Sequence, residues 1–321
     1  MLRLRLAVPQ EFSGRCLSDI LAAAARLDPE AAARIVRFGA VRVDGQVERD
    51  PGRRISAGRR VFVLWSAQAA AQQPSPRLVY QDAHLWIVWK PAGIPVQGTR
   101  LGSENSVEEY LAASATKGLE PRIVHRLDLP VSGLMVAAAT AEGAAGLSRG
   151  FEDGAVRKVY LAVAHVSPGS GSDLCRRLEG GDPVDIDHPL LWVSGKQKAM
   201  VSPDGKPARS RVALVAPPTD GRILLAIRLL SGRTHQIRVH LSHSGLPVVG
   251  DSAYGAESGS TEAPRIALHS TFLAFPHPVG KGPVVFQELP PDDFWKCARA
   301  TPPADLLDRF RKVLGLLGCS D

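Results

Sequence analysis

The sequence contains few cysteines and no long apolar run. Its four cysteines are scattered over 321 residues and form no Cys-x-x-Cys pair, so neither a disulfide framework nor a zinc ribbon is expected. No stretch approaches the roughly 18 apolar residues that a membrane span needs. The first residues include arginines but no sustained apolar region and no small-residue cleavage site, so we expect no signal peptide. These absences predict a cytoplasmic protein without a membrane segment.

Neither sign of charge dominates the chain, but its basic residues are unevenly distributed. Lys and Arg number 39 against 32 Asp and Glu, which gives a net charge of +7. Residues 1–65 contain twelve arginines, no lysine and seven acidic residues, so this fifth of the chain holds most of the excess. Such a block indicates either a polyanionic partner, of which nucleic acid is the commonest, or a well-solvated arginine-rich surface.

The length and the composition, with 45% hydrophobic and 22% charged residues, are typical of a globular protein of about two domains. Residues 1–65 predict two helices followed by a small hairpin sheet, with Arg34 and Arg37 on one face of the second helix. This α/β arrangement resembles the S4 RNA-binding module. Cys16-Leu17-Ser18 and Asp28-Pro29-Glu30 stand where that module usually has Arg-Leu-Asp and Ser-Arg.

The remainder of the chain predicts a linker, a larger domain and a terminal helix. Residues 66–77 are rich in Ala, Gln and Pro and lack periodicity, which is typical of a linker. Residues 78–300 contain many short apolar runs, which predict more strands than helices. Their connections are too irregular for repeated βαβ units, so we expect an α+β domain around a mixed, mostly antiparallel sheet. Residues 301–321 predict an amphipathic helix that docks on this domain.

A polar cluster interrupts two apolar runs at residues 123–138. It consists of His125, Arg126 and Asp128, and it precedes a tight turn marked by Pro130 and Gly133. Polar residues at the mouth of a core strand need partners or a function. The residues alone leave two interpretations open, a buried aspartate that caps a turn beside an arginine, or a functional site.

A second polar cluster lies between apolar stretches at residues 229–251. The three histidines His235, His240 and His243 suggest a metal site, but their spacing fits no common zinc motif. Arg233 and Arg238 would also repel a cation. We therefore expect no metal, and arginines of this kind suit phosphate or carboxylate instead.

Several segments, in order, resemble the RluA-type RNA pseudouridine synthases over nearly all of residues 77–295. The segment HRLDLPVSGL (His125–Leu134) resembles the catalytic motif of that family, with Val131 where the family often has Thr. The other matching segments are DAHLWIVWKPAGIPV (Asp82–Val96), RKVYLAVAH (Arg157–His165), SGRTHQIRVHL with the following Gly250-Asp251 and Tyr254-Gly255, FPHPVG (Phe275–Gly280) and LPPDDF (Leu289–Phe294).

The resemblance implies the pseudouridine synthase fold and an isomerisation of uridine in RNA without a cofactor. In this family the bond between uracil N1 and ribose C1′ breaks, and the rotated base is rejoined through C5. Asp128 would be the catalytic aspartate, either attacking C1′ or removing a C2′ proton to form a glycal. Arg233 would pair with Asp128 and keep it ionised. Tyr160 would stack on the target base and is a candidate for the C5 proton transfer.

The resemblance also implies contacts with RNA. Arg126 would fill the gap left by a flipped nucleotide, and His125 lies beside it. The remaining candidate RNA contacts are Lys90, Lys158 and Arg238, for which a structural role is equally weighted, and Arg34 and Arg37 of the first block. We expect ribosomal RNA rather than transfer RNA as the substrate, a monomer, and no protein partner.

Two other functions compete with this one. An RNA-binding protein that has lost catalysis would use the S4-like block and the old cleft, but Asp128, Tyr160 and Arg233 are all present. An acid-dependent glycoside hydrolase would need a second carboxylate opposite Asp128, and neither the Lys-Pro-Ala-Gly segment nor the second polar cluster supplies one.

Overall fold

A computed structural model describes residues 2–37, 40–48, 50–65, 75–98, 106–116, 119–166, 172–196, 198–255, 265–280 and 282–319. The chain forms two compact units, Met1–Ser75 with Ile94–Ser114 and Pro76–Gly93 with Ala115–Asp321. Most of the predicted linker lies outside the described residues, and the predicted domain boundaries remain a prediction. In the described part of the chain, every helix is too short or too polar to cross a membrane.

The first unit combines a small antiparallel sheet with helices. Its strands are β1 (Leu2–Ala7), β2 (Arg15–Cys16), β3 (Val41–Val43), β4 (Gln46–Glu48), β5 (Arg54–Ile55) and β6 (Arg60–Trp65), and its α-helices are α1 (Leu17–Ala25), α2 (Pro29–Arg37) and α3 (Val107–Ser114). A four-stranded sheet has the order β1-β6-β3-β4, and β2 pairs with β5. The two predicted helices and the hairpin are therefore present.

The core of the first unit explains why these elements form. Leu17, Ile20 and Ile35 project from the two helices onto Val41 and Val63 of the sheet, and all five are completely buried. Strand β1 was not predicted, although its Leu-Arg-Leu-Arg-Leu alternation has the period of two that favours a strand with one buried face.

The second unit is built around one large sheet. Its strands are β7 (Arg77–Gln81), β8 (Leu85–Lys90), β9 (Arg122–Ile123), β10 (Ser132–Ala138), β11 (Arg157–His165), β12 (Val184–Asp187), β13 (Leu190–Val193), β14 (Lys198–Val201), β15 (Arg209–Thr219), β16 (Arg222–Leu229), β17 (Leu268–Pro276) and β18 (Pro283–Gln287). Its α-helices are α4 (Ala141–Glu152), α5 (Asp173–Glu179), α6 (Gln236–His243), α7 (Asp292–Ala298) and α8 (Leu306–Leu316).

The large sheet is mixed and mostly antiparallel, which confirms the predicted α+β class. Its order is β12-β15-β16-β11-β17-β10-β8-β7, with β18 beside β17 and β9 beside β10. Of its pairings, β10 with β17 runs parallel. Strands β13 and β14 form a separate hairpin. The predicted terminal helix is present as α8, which buries Leu306, Phe310 and Val313 in the same core as β11 and β16.

The parallel pair at the centre of the sheet depends on a glycine. Ser132 lies opposite His269, and Gly133 lies opposite Ser270. Gly133 has a φ of +119°, and a Cβ at this position would lie 2.3 Å from the backbone oxygen of Ser270. The backbones can therefore approach only where no side chain is present. This contact fixes the start of β10 and the polar loop, residues 126–131, that precedes it.

Candidate active site

A cleft of about 580 Å³ in the second unit brings the two polar clusters together. The loop 126–131 contributes Arg126 and Asp128, strand β11 contributes Tyr160, and the start of α6 contributes Arg238. These residues are separated by up to 112 positions in sequence, and the central strands bring them to one place. The residues that the sequence motifs predict for one site therefore lie around one cleft.

Arg238, and not Arg233, is the arginine that contacts Asp128. Its Nη1 donates to Oδ2 of Asp128 over 3.1 Å, while its Nε and Nη2 donate to the two oxygens of Asp251 over 2.6 and 2.9 Å. The predicted pairing of Arg233 with Asp128 is therefore wrong. Arg233 is exposed on the rim, where its Nε donates to the backbone oxygen of Pro207. The reason is that Arg238 lies on the inner face of α6, whereas Arg233 lies in the turn before the helix.

Asp251 fixes the position of Arg238 by binding the guanidinium nitrogens that do not contact Asp128. Its side chain is buried, and Oδ1 also accepts hydrogen bonds from the backbone N–H groups of Ala253 and Tyr254. The Arg238 guanidinium lies 4.9 Å from the centre of the Tyr254 ring, a cation–π distance. Asp251 and Tyr254 follow the matching segment SGRTHQIRVHL and belong to that match, but no local pattern in the sequence assigns either of them a role of its own.

His235 lies between the carboxylate and Tyr254. Its Nδ1 is 2.7 Å from the Tyr254 hydroxyl, and its Nε2 is 3.8 Å from Oδ2 of Asp128. Burial lowers the pKa of His235, the negative charge of Asp128 opposes that shift, and Arg238 adds to it. His235 also has a φ of 58°, a left-handed conformation that is uncommon for residues other than glycine. The surrounding contacts hold the imidazole beside the polar loop 126–131.

Gln236 closes the turn that sets His235 and Arg238 in place. Its side-chain oxygen accepts from the Ser231 hydroxyl and from the Arg233 backbone N–H, and its nitrogen donates to Ser210 and to the Arg209 backbone. A buried amide with this many partners makes the turn rigid.

Tyr160 lies on the floor of the cleft, and it is almost completely buried. It stands opposite Ser270 where the pairing of β11 with β17 shifts register. Burial raises the pKa of the Tyr160 phenol, the negative charge of Asp128 adds to the rise, and a hydrogen bond with Ser270 opposes it. The phenol is therefore neutral at physiological pH.

Lys90 supports the polar loop 126–131 and is not among the residues that line the cleft. Its ammonium is completely buried, and it donates to the backbone oxygens of Pro91 and Leu129 over 2.9 and 3.2 Å. Burial lowers its pKa to about 7, against the attraction of Asp128. The structure thus corrects the predicted RNA contact of Lys90, because a phosphate could not reach this group.

His125 lines the cleft, its ring makes contacts within the second unit, and its RNA contact stays a prediction. Its Nε2 accepts the backbone N–H of Val136 over 3.0 Å, and its ring lies against Phe151. Burial lowers its pKa to about 3, and the charge of Lys158 adds to this shift. Lys158 lines the cleft with its Nζ 5.0 Å from the centre of the Phe151 ring, and burial lowers its pKa to about 8.

A buried network holds the end of the loop, where β10 begins. The Ser132 hydroxyl lies 2.7 Å from Nδ1 of His269 and accepts from Nη2 of Arg265 over 2.6 Å. Arg265 also donates to Asp293, and Nε2 of His269 lies 3.2 Å from the Glu288 backbone oxygen. Every member therefore has a partner, which is the condition under which a buried polar network stabilises a single conformation.

The other predicted RNA contacts lie at exposed positions or in the first unit. Arg126 is exposed on the polar loop 126–131 and lines the cleft. On helix α2, Arg37 is exposed, and Nη1 of Arg34 lies 3.5 Å from Oε1 of Glu30. The three histidines do not converge on one point. Among the described residues there is no group of His, Cys, Asp and Glu that could hold a metal ion, and the two ring nitrogens of His240 contact Ser210 and the His188 backbone.

Comparisons with known proteins identify similar chains. Residues 84–243 match the family model described as RNA pseudouridylate synthase. The chain is 32% identical over 318 residues to ribosomal large subunit pseudouridine synthase D of Pseudomonas aeruginosa, a match that covers 92% of this chain and 94% of that protein. It is 30% identical over 227 residues to the dual-specificity RNA pseudouridine synthase RluA of Escherichia coli strain K12, covering 70% of this chain and 96% of that one.

A solved structure supports the fold. Human RNA Pseudouridylate Synthase Domain Containing 1 superposes with a TM-score of 0.56 at 23% identity, over 77% of this chain and 96% of that chain. The second unit thus has the fold that the sequence motifs implied.

Proposed function

Because the chain belongs to the RNA pseudouridylate synthase family and isomerises uridine in RNA to pseudouridine, we propose that Asp128 is its catalytic residue and ribosomal RNA its substrate. The observation that carries the proposal is the bridge from Asp128 through Arg238 to buried Asp251, beside Tyr160 in the cleft. A carboxylate held at a fixed position by a guanidinium is suited to act on a ribose that enters the cleft.

The Asp128 carboxylate acts at the ribose. It either attacks C1′, displacing uracil through N1, or removes the C2′ proton to give a glycal, and the geometry is compatible with both routes. Arg238 orients the carboxylate in both cases, since its contact with Asp251 persists whatever Asp128 does. Once the base has rotated, C5 forms a bond to C1′. In the first route this breaks the bond between Asp128 and C1′, and in the second Asp128 returns the proton to C2′. The C5 proton then leaves, and N1, which has lost its bond to C1′, takes up a proton.

Tyr160 supports the base in this scheme. Its ring forms part of the cleft floor, and its neutral phenol suits stacking on an uncharged uracil. Its position beside Asp128 also makes it the candidate for moving the C5 proton.

The uridine must leave its stack before it can reach Asp128. Flipping a nucleotide costs a few kcal/mol. Arg126, exposed on the same loop two residues before Asp128, occupies the gap that the uridine leaves. Lys158 and Arg233, which also line the cleft, bind phosphates of the strand that enters it.

Ribosomal RNA is favoured by the coverage of the matches. The relative that aligns with 92% of this chain carries the name of a ribosomal large subunit enzyme, whereas the dual-specificity relative aligns with 70%.

The basic first unit, with Arg34 and Arg37 on α2, serves as a docking module for the same RNA, in the manner of an S4 module. We propose a cytoplasmic location and a monomer, as the sequence predicts.

Tritium release tests the proposal. Transcripts of large-subunit ribosomal RNA and of transfer RNA, labelled with tritium at uridine C5, are incubated with the protein and with two variants. We expect release from the ribosomal transcript by the wild type and by Asp187→Asn, an exposed carboxylate on β12, but a loss of at least about 10²-fold in Asp128→Asn. Full activity of Asp128→Asn would refute its catalytic role. Binding without release from either RNA would favour an RNA-binding protein without catalysis.

A further inference from the structure

A tryptophan lies exposed beside the cleft, on the hairpin of β13 and β14. The side chain of Trp192 is 42% exposed, and the residue pairs with Ala199 across the hairpin. Leu191 and Met200 form the next pair and are also exposed. Because successive side chains of a strand alternate between faces, Trp192 lies on one face of the hairpin, and Leu191 and Met200 lie on the other.

The face with Trp192 is the one that meets the active site. The Trp192 and His235 rings are 5.5 Å apart and nearly perpendicular, at 73°. His235 in turn lies 3.8 Å from the Asp128 carboxylate. One side chain, that of His235, therefore separates the indole from the proposed catalytic group.

Hydrogen bonds hold the hairpin at this distance. The Tyr254 hydroxyl accepts from the Ala199 backbone N–H over 2.8 Å, and the same hydroxyl contacts Nδ1 of His235. Lys198 donates to the Ala253 backbone oxygen over 2.7 Å. The indole is thus positioned by the same residues that position His235, and it does not depend on the contact with His235 alone.

The geometry of the contact leaves indole surface for a ligand. In an edge-to-face contact, the partner ring covers at most one of the two broad faces of the indole. The other broad face of Trp192 is therefore left for a ligand. The surroundings are basic, because Lys198 and the exposed Lys206 flank the hairpin and Arg233 lies on the rim of the cleft. A flat aromatic surface beside cations suits an unpaired nucleobase and its phosphate better than it suits an apolar protein surface.

We propose that Trp192 is a stacking platform for the unpaired RNA base adjacent to the uridine that is isomerised. The inference rests on the proposed function of the cleft as an RNA site. Stacking of the neighbouring base holds the strand after the uridine has left its stack, so that the RNA remains bound while the uridine reaches Asp128.

Binding of short RNA tests the stacking directly. The probes are an eight-nucleotide oligocytidylate, which contains no uridine to react, and an abasic ribose-phosphate chain of the same length. Trp192→Ala is expected to weaken binding of oligocytidylate by between about 5-fold and 150-fold, the range that corresponds to one stacked base. Trp192→Phe retains a ring and is expected to lose less, while Leu191→Ala on the opposite face matches the wild type.

The abasic chain separates stacking from a general loss of affinity. It lacks bases but keeps its phosphates, so wild type and Trp192→Ala are expected to bind it equally. An equal loss on both probes would show that Trp192 supports the fold of the hairpin and does not stack. Unchanged binding of oligocytidylate by Trp192→Ala would also overturn the inference.

Kinetics on the ribosomal transcript then distinguish this inference from the proposed function. Removal of a stacking contact is expected to raise KM with little change in kcat, because the contact is present before and during the reaction. A fall in kcat with unchanged KM would instead assign Trp192 to the positioning of His235. If the wild type releases no tritium, the proposed function fails, whereas the oligocytidylate result still decides whether Trp192 stacks on RNA.

Discussion

Nη1 of Arg238 lies 3.1 Å from Oδ2 of Asp128, and this contact does not require Asp128 to hold the arginine in place. Asp251 binds the guanidinium through two other nitrogens, and both partners of that pair are buried. The pair therefore acts as a preformed support against which the Asp128 carboxylate is oriented.

Substitution of Arg238 is expected to reduce both activity and stability. Arg238→Lys cannot bridge two carboxylates, because an ammonium lacks the planar fork of a guanidinium. If the Asp128 carboxylate is misplaced by about 1 Å in this variant, the rate of tritium release is expected to fall roughly 10²-fold.

Arg238→Ala leaves Asp251 buried and without its ion-pair partner, which lowers the free energy of unfolding by about 3–5 kcal/mol. Urea denaturation measures this loss.

Arg233→Ala is the matched control for both effects. Arg233 is exposed and donates to a backbone oxygen on the rim, so its removal is expected to change the free energy of unfolding by only about 0.5 kcal/mol. Its effect on the reaction should be confined to KM. A larger loss of kcat in Arg233→Ala than in Arg238→Lys would contradict the assignment.

The exchange of Arg233 for Arg238 shows what the sequence can and cannot predict. The motifs predicted that Asp128, Tyr160 and the segment SGRTHQIRVHL belong to one site, and residues of all three line the cleft. Their residue types and order were sufficient for that placement, whereas their roles stay predictions. Which arginine faces Asp128 depends on where α6 begins. Arg233 and Arg238 are only five positions apart, and the sequence does not show that the turn closed by Gln236 leaves Arg233 outside the helix and Arg238 inside it.

Burial was the second property that the sequence did not reveal. Lys90 and His125 are polar residues next to catalytic motifs, which favoured RNA contacts. Their partners are backbone groups of distant residues, Leu129 for Lys90 and Val136 for His125. Such contacts arise from the pairing of β8 and β10, and no local pattern encodes them. Strand β1, by contrast, has an alternation that is visible in the sequence and is sufficient to predict it.

Gly133→Ala is expected to destabilise the second unit severely. The new methyl group would lie 2.3 Å from a backbone oxygen of Ser270 at a φ of +119°, and neither atom can move without separating β10 from β17. We expect a loss of at least about 3 kcal/mol in the free energy of unfolding. Gly315→Ala on α8 is the control, since no atom lies within 4 Å of the added Cβ. There a gain of about 0.5–1 kcal/mol is expected, and comparable losses in the two variants would refute the role of Gly133.

The proposed docking role of the first unit predicts a change in salt dependence. If Arg34 and Arg37 bind phosphates, the double substitution to Ala reduces the slope of log Kd against log salt by about 0.9 for each phosphate that is no longer neutralised. Filter binding of the ribosomal transcript at several salt concentrations measures the slope. Arg311→Ala removes a charge from the exposed face of α8 and is expected to leave the slope unchanged. Equal slopes for wild type and the double variant would show that α2 does not dock RNA.

Stability is expected to fall as the pH is lowered from about 6.5 towards 4.5, because buried histidines, among them His125 and His269, are held in their neutral form. Burial lowers the pKa of His125 and of His269 to about 3, and Arg265 adds to the shift of His269. Both groups have a pKa near 6.5 in the unfolded chain. Between these values the unfolded chain binds more protons than the native protein, so acid favours unfolding. Each histidine contributes up to about 1.4 kcal/mol per pH unit.

The choice of pH range isolates the histidines. The pKa values of Asp82 and Asp185 are lowered to about 2, so the stability that these carboxylates contribute is lost only below about pH 4. Lys90 and Lys158, with pKa values of about 7 and 8, are protonated in both states below pH 6. Urea denaturation at pH 6.5 and 4.5 therefore reports mainly on buried histidines. His125→Gln keeps an acceptor for the Val136 N–H and removes one titrating group. Its free energy of unfolding is expected to be lower than that of the wild type at pH 6.5. The further decrease between pH 6.5 and 4.5 should, however, be smaller than in the wild type. An identical loss in both proteins would mean that His125 is not held neutral in the native state.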